Sequence, residues 1–236
     1  MVTTPPDVSQ PGKKSFLTSG AKEVVNLVAI RRYDDSTHLL FYISSLPGEE
    51  GARQRHLFVV DSKGSEEKCL SCDKTVGLGC TYFSAQMFED SQENNEDDVF
   101  FVLSCGSDSV IYFPDDGSSP PFTATIQYTH STGEMKLIKM LEDNPGYKDK
   151  LAAYDWPAKK FFQTTVKTGD EDDGLIIYGQ LFLPPHFDVK DKGRENIGKG
   201  KKKHPILFNI YSGPSTTKVN NRFVIDYHSF LAMNHG

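Results

Sequence analysis

Short apolar runs separated by polar turns fill the chain from about Phe16 to Leu141. These runs are rich in Val, Ile, Phe, Tyr and Thr, which suit the half-buried surface of a pleated sheet. The predicted strands are Glu23–Ile30, His38–Ser44, His56–Asp61, Cys80–Phe88, Asp98–Cys105, Ser109–Phe113, Thr123–His130 and Met135–Met140. Because no helical pattern lies between them, we expect antiparallel sheets of a sandwich, barrel or propeller, with two groups of about four strands.

The pattern changes at residues 144–157. Asn144–Tyr154 contains good helix formers and no β-branched run, and Trp156-Pro157 ends the predicted helix. Residues 222–236 place apolar side chains at helical spacing, which predicts a second helix. Two further strands are predicted at Lys160–Thr168 and Leu175–Leu183. All-β structure is therefore expected before this point, and a mixture of strand, turn and helix after it.

An apolar run, Ile206–Ile210, leads directly into the turn Tyr211-Ser-Gly-Pro214. Near-continuous apolar runs are typical of parallel-sheet strands that are covered on both faces, so a buried strand is predicted here. The turn after such a strand is where open α/β sheets place their chemistry. Tyr211 is therefore a candidate site residue.

Composition narrows the class of protein. The 236 residues carry a formal net charge of −6, with 25% charged and 37% hydrophobic residues, as in globular proteins. This charge argues against a general nucleic-acid-binding protein, and the basic cluster Lys199–Lys203 is predicted to be a solvated loop. The sequence contains no apolar run long enough to span a membrane, and residues 1–12 are predicted to be a flexible lead-in without a signal core.

The four cysteines are clustered in one region, at Cys69, Cys72, Cys80 and Cys105. An even, clustered set favours two disulfides and an oxidising compartment. A four-cysteine zinc site is an alternative, although such sites usually need a second close pair to match Cys69-Leu-Ser-Cys72. A redox Cys-x-x-Cys motif is a third interpretation, although no βαβ pattern surrounds it.

Two acidic stretches are weighed as sites. Glu89–Asp98 is the most acidic segment and offers the oxygen ligands that calcium prefers, but a solvated hairpin loop is favoured. Glu49 and Glu50 are bracketed by Gly48 and Gly51, so they are predicted to lie in an ordinary turn. No metal site and no cofactor is predicted.

A series of short motifs follows the order found in a known family. The motifs are Leu17–Gly20 followed by Glu23-Val24, then Phe41–Ser44, Cys69–Cys72, Cys80–Ser84, Leu141–Asn144, Leu183–Asp188 and Tyr211–Pro214. On these motifs the chain resembles the dipeptidyl peptidase IV-like branch of the prolyl oligopeptidase serine peptidase family from about Lys13 to Gly236. In that family a β-propeller of about eight blades covers an α/β-hydrolase domain.

The resemblance implies a mixed fold with an all-β part first. Residues 13–143 would be the last blades of the propeller, residues 144–157 a linker helix, and residues 158–236 the truncated N-terminal part of the α/β-hydrolase domain. It also implies disulfides that join Cys69 to Cys72 and Cys80 to Cys105, and an extracellular or cell-surface location with any membrane anchor upstream of this chain.

The resemblance gives one residue a chemical role. In the family, the tyrosine that corresponds to Tyr211 donates its hydroxyl to the oxyanion formed when serine attacks the scissile carbonyl. No Gly-x-Ser-x-Gly elbow occurs in the chain, so His186, His204, His228 and His235 have no identifiable triad to join.

The predicted function is therefore that of a fragment of a serine exopeptidase. The parent would release N-terminal dipeptides with proline or alanine second, and would act on peptides, with a homodimer as a possible assembly. This chain alone is expected to be inactive. The alternative is a non-catalytic, propeller-type interaction protein of the same family.

Overall fold

The structure is a computed structural model that describes residues 2–3, 14–65, 67–88, 97–107, 121–167, 174–185, 187, 205–211, 213 and 217–234. Several predicted features fall outside these residues, namely the strand Ser109–Phe113, the basic cluster Lys199–Lys203, most of the acidic segment Glu89–Asp98, and His186, His204, His235 and Gly236.

Strands dominate the described residues. The strands are β1 (Val2–Thr3), β2 (Lys14–Ser15), β3 (Val24–Arg32), β4 (His38–Ser44), β5 (His56–Asp61), β6 (Lys68–Cys69), β7 (Phe83–Met87), β8 (Asp98–Cys105), β9 (Thr123–Thr129), β10 (Glu134–Glu142), β11 (Ala158–Val166) and β12 (Leu175–Leu183). The helices are α1 (Glu49–Ala52), α2 (Lys74–Gly77), α3 (Tyr147–Ala152) and α4 (Tyr227–Asn234).

Two four-stranded antiparallel sheets form the body of the structure. The first sheet has the order β3-β4-β5-β6, and the second sheet has the order β10-β9-β8-β7. Strands that are consecutive in sequence are neighbours in each sheet, which is the meander expected from the short turns. Both sheets are consistent with propeller blades, and the prediction of two groups of about four strands is confirmed.

The two sheets share one hydrophobic core. Strand β8 alternates between half-buried and fully buried positions, as expected for a sheet with one covered face. Phe41 of β4 and Phe101 of β8 are both fully buried and meet edge to face, with ring centroids 4.9 Å apart. Tyr128 of β9 contacts the Phe41 ring in the same edge-on manner at 6.0 Å. The facing surfaces of the sheets are thus joined through aromatic packing.

The opposite face of the first sheet has a smaller core. Tyr42 of β4 stacks on Phe58 of β5, with centroids 5.7 Å apart, and Leu17 and Leu46 pack against this face. Both faces of β4 are therefore covered, which explains why six of its seven residues are buried. The continuous apolar sequence from Leu39 to Ile43 fits a strand that is covered on both faces.

Short elements differ from the sequence prediction. The fourth strand of the first sheet is β6, whose two residues are too few to produce a recognisable pattern. Glu49 and Glu50 open helix α1 rather than a simple turn. Within the predicted lead-in of residues 1–12, Val2 and Thr3 pair with Ser15 and Lys14.

The predicted buried strand Ile206–Ile210 is wrong. Residues 205–211 form no strand, and the apolar side chains are exposed, from 63% at Leu207 to 83% at Ile210. Apolar sequence alone does not make a strand, because a strand also needs a neighbour to pair with its backbone. In the described residues β11 and β12 pair only with each other.

The two predicted helices are present but shorter than expected. Helix α3 covers Tyr147–Ala152, and its Leu151 carbonyl accepts a hydrogen bond from the Trp156 indole N–H at 2.8 Å. Helix α4 covers Tyr227–Asn234. Among the described residues, none of the helices has the length and hydrophobicity that a membrane-spanning segment requires.

Candidate functional site

Residues 217–223, which we call the junction segment, lie across the ends of both sheets. The backbone N–H of Asn221 donates to the Arg53 carbonyl at 3.0 Å, and its side-chain amide donates to the Thr81 hydroxyl at 3.1 Å. The backbone N–H of Phe223 donates to the Gly106 carbonyl at 2.6 Å. The first contact reaches the residue that follows α1, the second reaches the segment just before β7, and the third reaches the residue that follows β8. The chain that follows Tyr211 is therefore anchored on both sheets.

An ion pair between the buried Arg55 and the half-buried Glu23 strengthens this anchor. The Arg55 guanidinium donates to Glu23 Oε2 at 3.2 Å, and the Thr217 hydroxyl donates to the same oxygen at 2.7 Å. Arg55 also donates to the carbonyls of Ala52 and Gln54 at 3.0 and 2.7 Å, so its charge is well solvated by protein. Because the Arg55 side chain is only 5% exposed, its charge depends on these partners.

The hairpin β11–β12 contacts the same region through cations. The Lys159 ammonium of β11 donates to the Asn220 carbonyl at 2.8 Å. The Arg53 guanidinium lies 4.0 Å from the centre of the Phe161 ring, within cation–π range. Strand β11, the junction segment and the first sheet therefore meet at one place.

Tyr211, the predicted oxyanion donor, lies in the exposed segment before this anchor. Its side chain is 57% exposed, and the Lys218 ammonium lies 5.6 Å from its ring centroid. A Cβ atom at Gly213 would come within 2.8 Å of the Tyr211 hydroxyl oxygen. A side chain at position 213 would therefore displace the exposed Tyr211 ring from its place against Gly213.

A polar cluster at His228 connects the Tyr211 segment to helix α4. His228 Nδ1 is 3.1 Å from Asp226 Oδ2, and its Nε2 is 2.9 Å from Asn209 Nδ2, while its ring stacks on Phe182. Because the Asn209 amide donates to Nε2, the imidazole proton lies on Nδ1 and is donated to Asp226. Burial raises the pKa of Asp226, but the hydrogen bonds from His228 and from the Ser229 N–H outweigh it and hold that pKa below its usual value.

This Asp–His pair is not a catalytic triad on its own. The Ser229 hydroxyl donates to the Val224 carbonyl at 3.4 Å, and Ser229 is buried, so it does not face His228 as a nucleophile. The pair instead joins helix α4 to the segment 205–211 that carries Tyr211. The sequence prediction gave His228 no triad partner, and the pairing with Asp226 two residues earlier was missed.

The cysteines form the two disulfides that the resemblance implies. Cys69 bonds Cys72, with Cα atoms 5.7 Å apart, and Cys80 bonds Cys105, with Cα atoms 6.0 Å apart. The second bridge ties the residues before β7 to the end of β8 inside the shared core. The four-cysteine zinc site is therefore excluded in this oxidised state, since no free cysteine is present.

His56 of β5 lies next to the Cys69–Cys72 bridge and was not singled out in the sequence. Its Nδ1 is 3.1 Å from the Ser71 hydroxyl and its Nε2 is 3.0 Å from the Gln54 side-chain oxygen. Burial lowers the pKa of His56 to about 4, against a smaller opposite effect of the Ser71 backbone. The imidazole is therefore neutral at pH 7.

An open groove of about 830 Å³ runs between β3 and β7, the first strands of the two sheets. Asn26, Ile30, Gln86 and Ser104 are among its lining residues, so it combines hydrogen-bonding groups with aliphatic surface. The groove was not predicted, because its residues come from strands that are separated by more than fifty positions in the sequence.

Comparison with known proteins shows what this chain is similar to. A family model described as the dipeptidyl peptidase IV N-terminal region matches residues 4–95. The venom dipeptidyl peptidase 4 of Vespa velutina is 28% identical over 221 residues, which are 92% of this chain and 23% of that protein. The dipeptidyl-aminopeptidase B of Aspergillus niger is 28% identical over 233 residues, 99% of this chain and 20% of that protein.

A solved structure agrees with these matches. The crystal structure of Porphyromonas gingivalis dipeptidyl peptidase 4 superimposes with a TM-score of 0.58 over 92% of this chain, at 21% identity. The chain is thus similar to dipeptidyl peptidase IV-like proteins in sequence and in fold. It spans about a quarter of the length of that structure and of the Vespa velutina relative. The match to the family model covers residues 4–95, and the likeness to the solved structure is one of fold.

Proposed function

We propose that these residues form the junction between the propeller and the catalytic domain of a dipeptidyl peptidase IV-like serine exopeptidase. The observation that carries this proposal is the junction segment, which follows the Tyr211 turn and is bonded to the ends of both sheets. A reactive tyrosine must be held at a fixed position relative to the domain that admits the peptide. The bonds of Asn221, Phe223 and Thr217 to the two sheets supply such an anchor.

Tyr211 has the role of oxyanion donor in this proposal. When a serine hydroxyl attacks the scissile carbonyl, the carbonyl oxygen becomes an oxyanion, and a phenolic O–H directed at that oxygen stabilises it. One such donor contributes roughly 3–4 kcal/mol to transition-state stabilisation. The exposure of the Tyr211 ring supports this role, because its hydroxyl remains accessible to a substrate.

Residues 158–236 would begin the α/β-hydrolase domain. The exposed apolar side chains of β12 and of segment 205–211 support this assignment, because they are the surface that further strands and helices of such a domain would cover. The nucleophile and the catalytic acid–base pair of such an enzyme would come from residues other than these 236. The proposed activity is removal of N-terminal dipeptides, with proline or alanine second.

An extracellular location is also proposed. Two disulfides support it, because such bonds persist in oxidising compartments. Relatives from Vespa velutina and Apis mellifera are named venom dipeptidyl peptidases, which agrees with a secreted protein.

The test begins with the complete transcript from the source organism. The encoded protein would be expressed as a secreted product and assayed with Gly-Pro and Ala-Pro p-nitroanilides. We expect release of p-nitroaniline from both and none from the acetylated Gly-Pro substrate, since an exopeptidase needs the free amino group. A folded product that cleaves neither free substrate would overturn the peptidase proposal and favour the non-catalytic interaction protein.

A further inference from the structure

Among the residues that the structure describes, one cluster of metal-ligating side chains lies away from the Tyr211 segment and its anchor. His56, Cys69 and Cys72 each offer one ligand atom, and these atoms all lie within 4.8 Å of one another. The register of β5 and β6 explains the cluster. Phe58 pairs with Cys69, and the Leu70 N–H donates to the Leu57 carbonyl, so the next position along β5, His56, faces the loop between the two cysteines.

The hydrogen bonds of His56 resemble those of a metal ligand. The Gln54 side-chain oxygen can only accept, so Nε2 carries the imidazole proton and donates it across 3.0 Å. Nδ1 therefore presents its lone pair to the Ser71 hydroxyl, which itself accepts from the Leu57 N–H at 3.0 Å. Metal-bound histidines typically donate their second ring N–H to a fixed oxygen, and Gln54 supplies that oxygen here.

We propose that His56, Cys69 and Cys72 form a zinc site when the Cys69–Cys72 disulfide is reduced. A Cys-x-x-Cys pair is a common two-thiolate ligand set for Zn²⁺, and a buried imidazole nitrogen completes a Cys₂His set with one position left for water. Zinc would replace the Ser71 hydroxyl at Nδ1. It would then tie β5 to β6 and the loop after it, which the disulfide does not do.

The redox step uses a dithiol reductant. A thiolate of the reductant attacks one sulfur of the bridge, and its second thiol displaces the mixed disulfide, so two electrons and two protons pass to Cys69 and Cys72. Binding of Zn²⁺ then releases the two thiol protons. Cys72 is exposed, whereas Cys80 and Cys105 are only 5% and 4% exposed, so the reductant reaches the Cys69–Cys72 bridge first.

The experiment uses the full 236-residue chain and does not depend on the proposed peptidase function. The chain is treated with limiting dithiothreitol, desalted without oxygen, and mapped by alkylation and mass spectrometry to show which bridge has opened. Co²⁺ is then titrated, because a thiolate–cobalt charge-transfer band reports cysteine ligation directly, and Zn²⁺ is added to displace it. We expect one metal ion for each reduced chain and none for the oxidised chain.

Two variants test the histidine, with a third as control. His56→Asn should weaken metal binding at least about tenfold, and Gln54→Ala, which only removes the oxygen that orients the ring, should weaken it by roughly tenfold. His38→Gln changes an exposed histidine of the same sheet and should leave the affinity unchanged. If loss of the buried His56 impairs folding, the Gln54→Ala protein, which keeps His56, still tests whether the histidine binds the metal.

Two results would overturn the proposal. If neither His56→Asn nor Gln54→Ala changes the affinity, the metal is held by the two thiolates alone and His56 is no ligand. If the reduced wild-type chain gives no charge-transfer band, or if Cys80–Cys105 opens before Cys69–Cys72, the zinc site does not exist as described.

Discussion

Glu23 and Arg55 form an ion pair at the point where the junction segment reaches the first sheet. The Arg55 Nη2 atom lies 3.2 Å from Glu23 Oε2. The Arg55 side chain is 5% exposed and the Glu23 side chain is 35% exposed. The Thr217 hydroxyl donates to the same carboxylate oxygen. One carboxylate thus serves both the buried arginine and the chain that carries Tyr211.

Glu23→Ala should therefore destabilise the protein more than Thr217→Val. Loss of the carboxylate leaves a buried guanidinium with fewer partners, for which we expect a loss of about 1.5–3 kcal/mol in the free energy of unfolding. Loss of one neutral hydroxyl bond should cost about 0.5–1.5 kcal/mol. Urea denaturation measures the loss in the free energy of unfolding for both variants, provided that the m-value is unchanged. Equal effects of the two substitutions would contradict the role assigned to the ion pair.

His56 makes the stability depend on pH. Its folded pKa of about 4 lies below the ordinary 6.5, so the unfolded chain takes up the proton first as the pH falls. The contribution of the neutral His56 to the free energy of unfolding is fully present above pH 6.5 and is lost as the pH falls through about 4. The loss amounts to roughly 3 kcal/mol.

Denaturation curves between pH 7 and pH 4 test this prediction. The slope of the free energy of unfolding against pH should be smaller in the His56→Gln protein than in the wild type. The His38→Gln protein is the control, and its slope should match that of the wild type. A His56→Gln protein with the full wild-type slope would show that His56 is not the buried neutral group responsible.

The two disulfides should contribute unequally. Cys80 and Cys105 are 25 positions apart, whereas Cys69 and Cys72 are 3 apart. Chain-entropy arguments give about 3.5 kcal/mol for the longer loop and about 2 kcal/mol for the shorter one. Replacement of each pair by alanine, followed by thermal denaturation, compares them. A larger loss from the Cys69–Cys72 pair would contradict the prediction.

Two phenylalanines provide a matched test of the core. Phe41 is fully buried between the sheets and Phe208 is 76% exposed. Phe41→Ala should cost about 3–5 kcal/mol, because it removes a large buried ring and leaves a cavity. In the 236-residue chain, Phe208→Ala should change the free energy of unfolding by less than about 0.5 kcal/mol. A large loss from Phe208→Ala would mean that segment 205–211 is buried after all.

The sequence predicted the long strands well and the local pairings poorly. The bounds of β4, β5, β8 and β12 match the predicted strands, because each is a full run of β-forming residues between clear turns. Ile206–Ile210 has the same composition and yet forms no strand, since pairing depends on neighbours that a local pattern does not encode.

The candidate site was only partly predictable for the same reason. Tyr211 and the cysteines stood out through motifs. Glu23, Arg55 and Thr217 meet across as many as 194 positions of sequence, and no motif marks them. The register that brings His56 beside Cys69 likewise depends on β6, which is too short to be recognised from its sequence.

The kcat of the complete secreted protein and of its Tyr211→Phe variant tests the central claim most directly. If Tyr211 is the oxyanion donor, the variant should bind Gly-Pro p-nitroanilide normally, with little change in KM, and kcat should fall by roughly 100- to 1000-fold. The Tyr178→Phe variant, which removes another partly exposed tyrosine hydroxyl, should keep the wild-type kcat. A Tyr211→Phe enzyme with an unchanged kcat would contradict the proposed role of Tyr211.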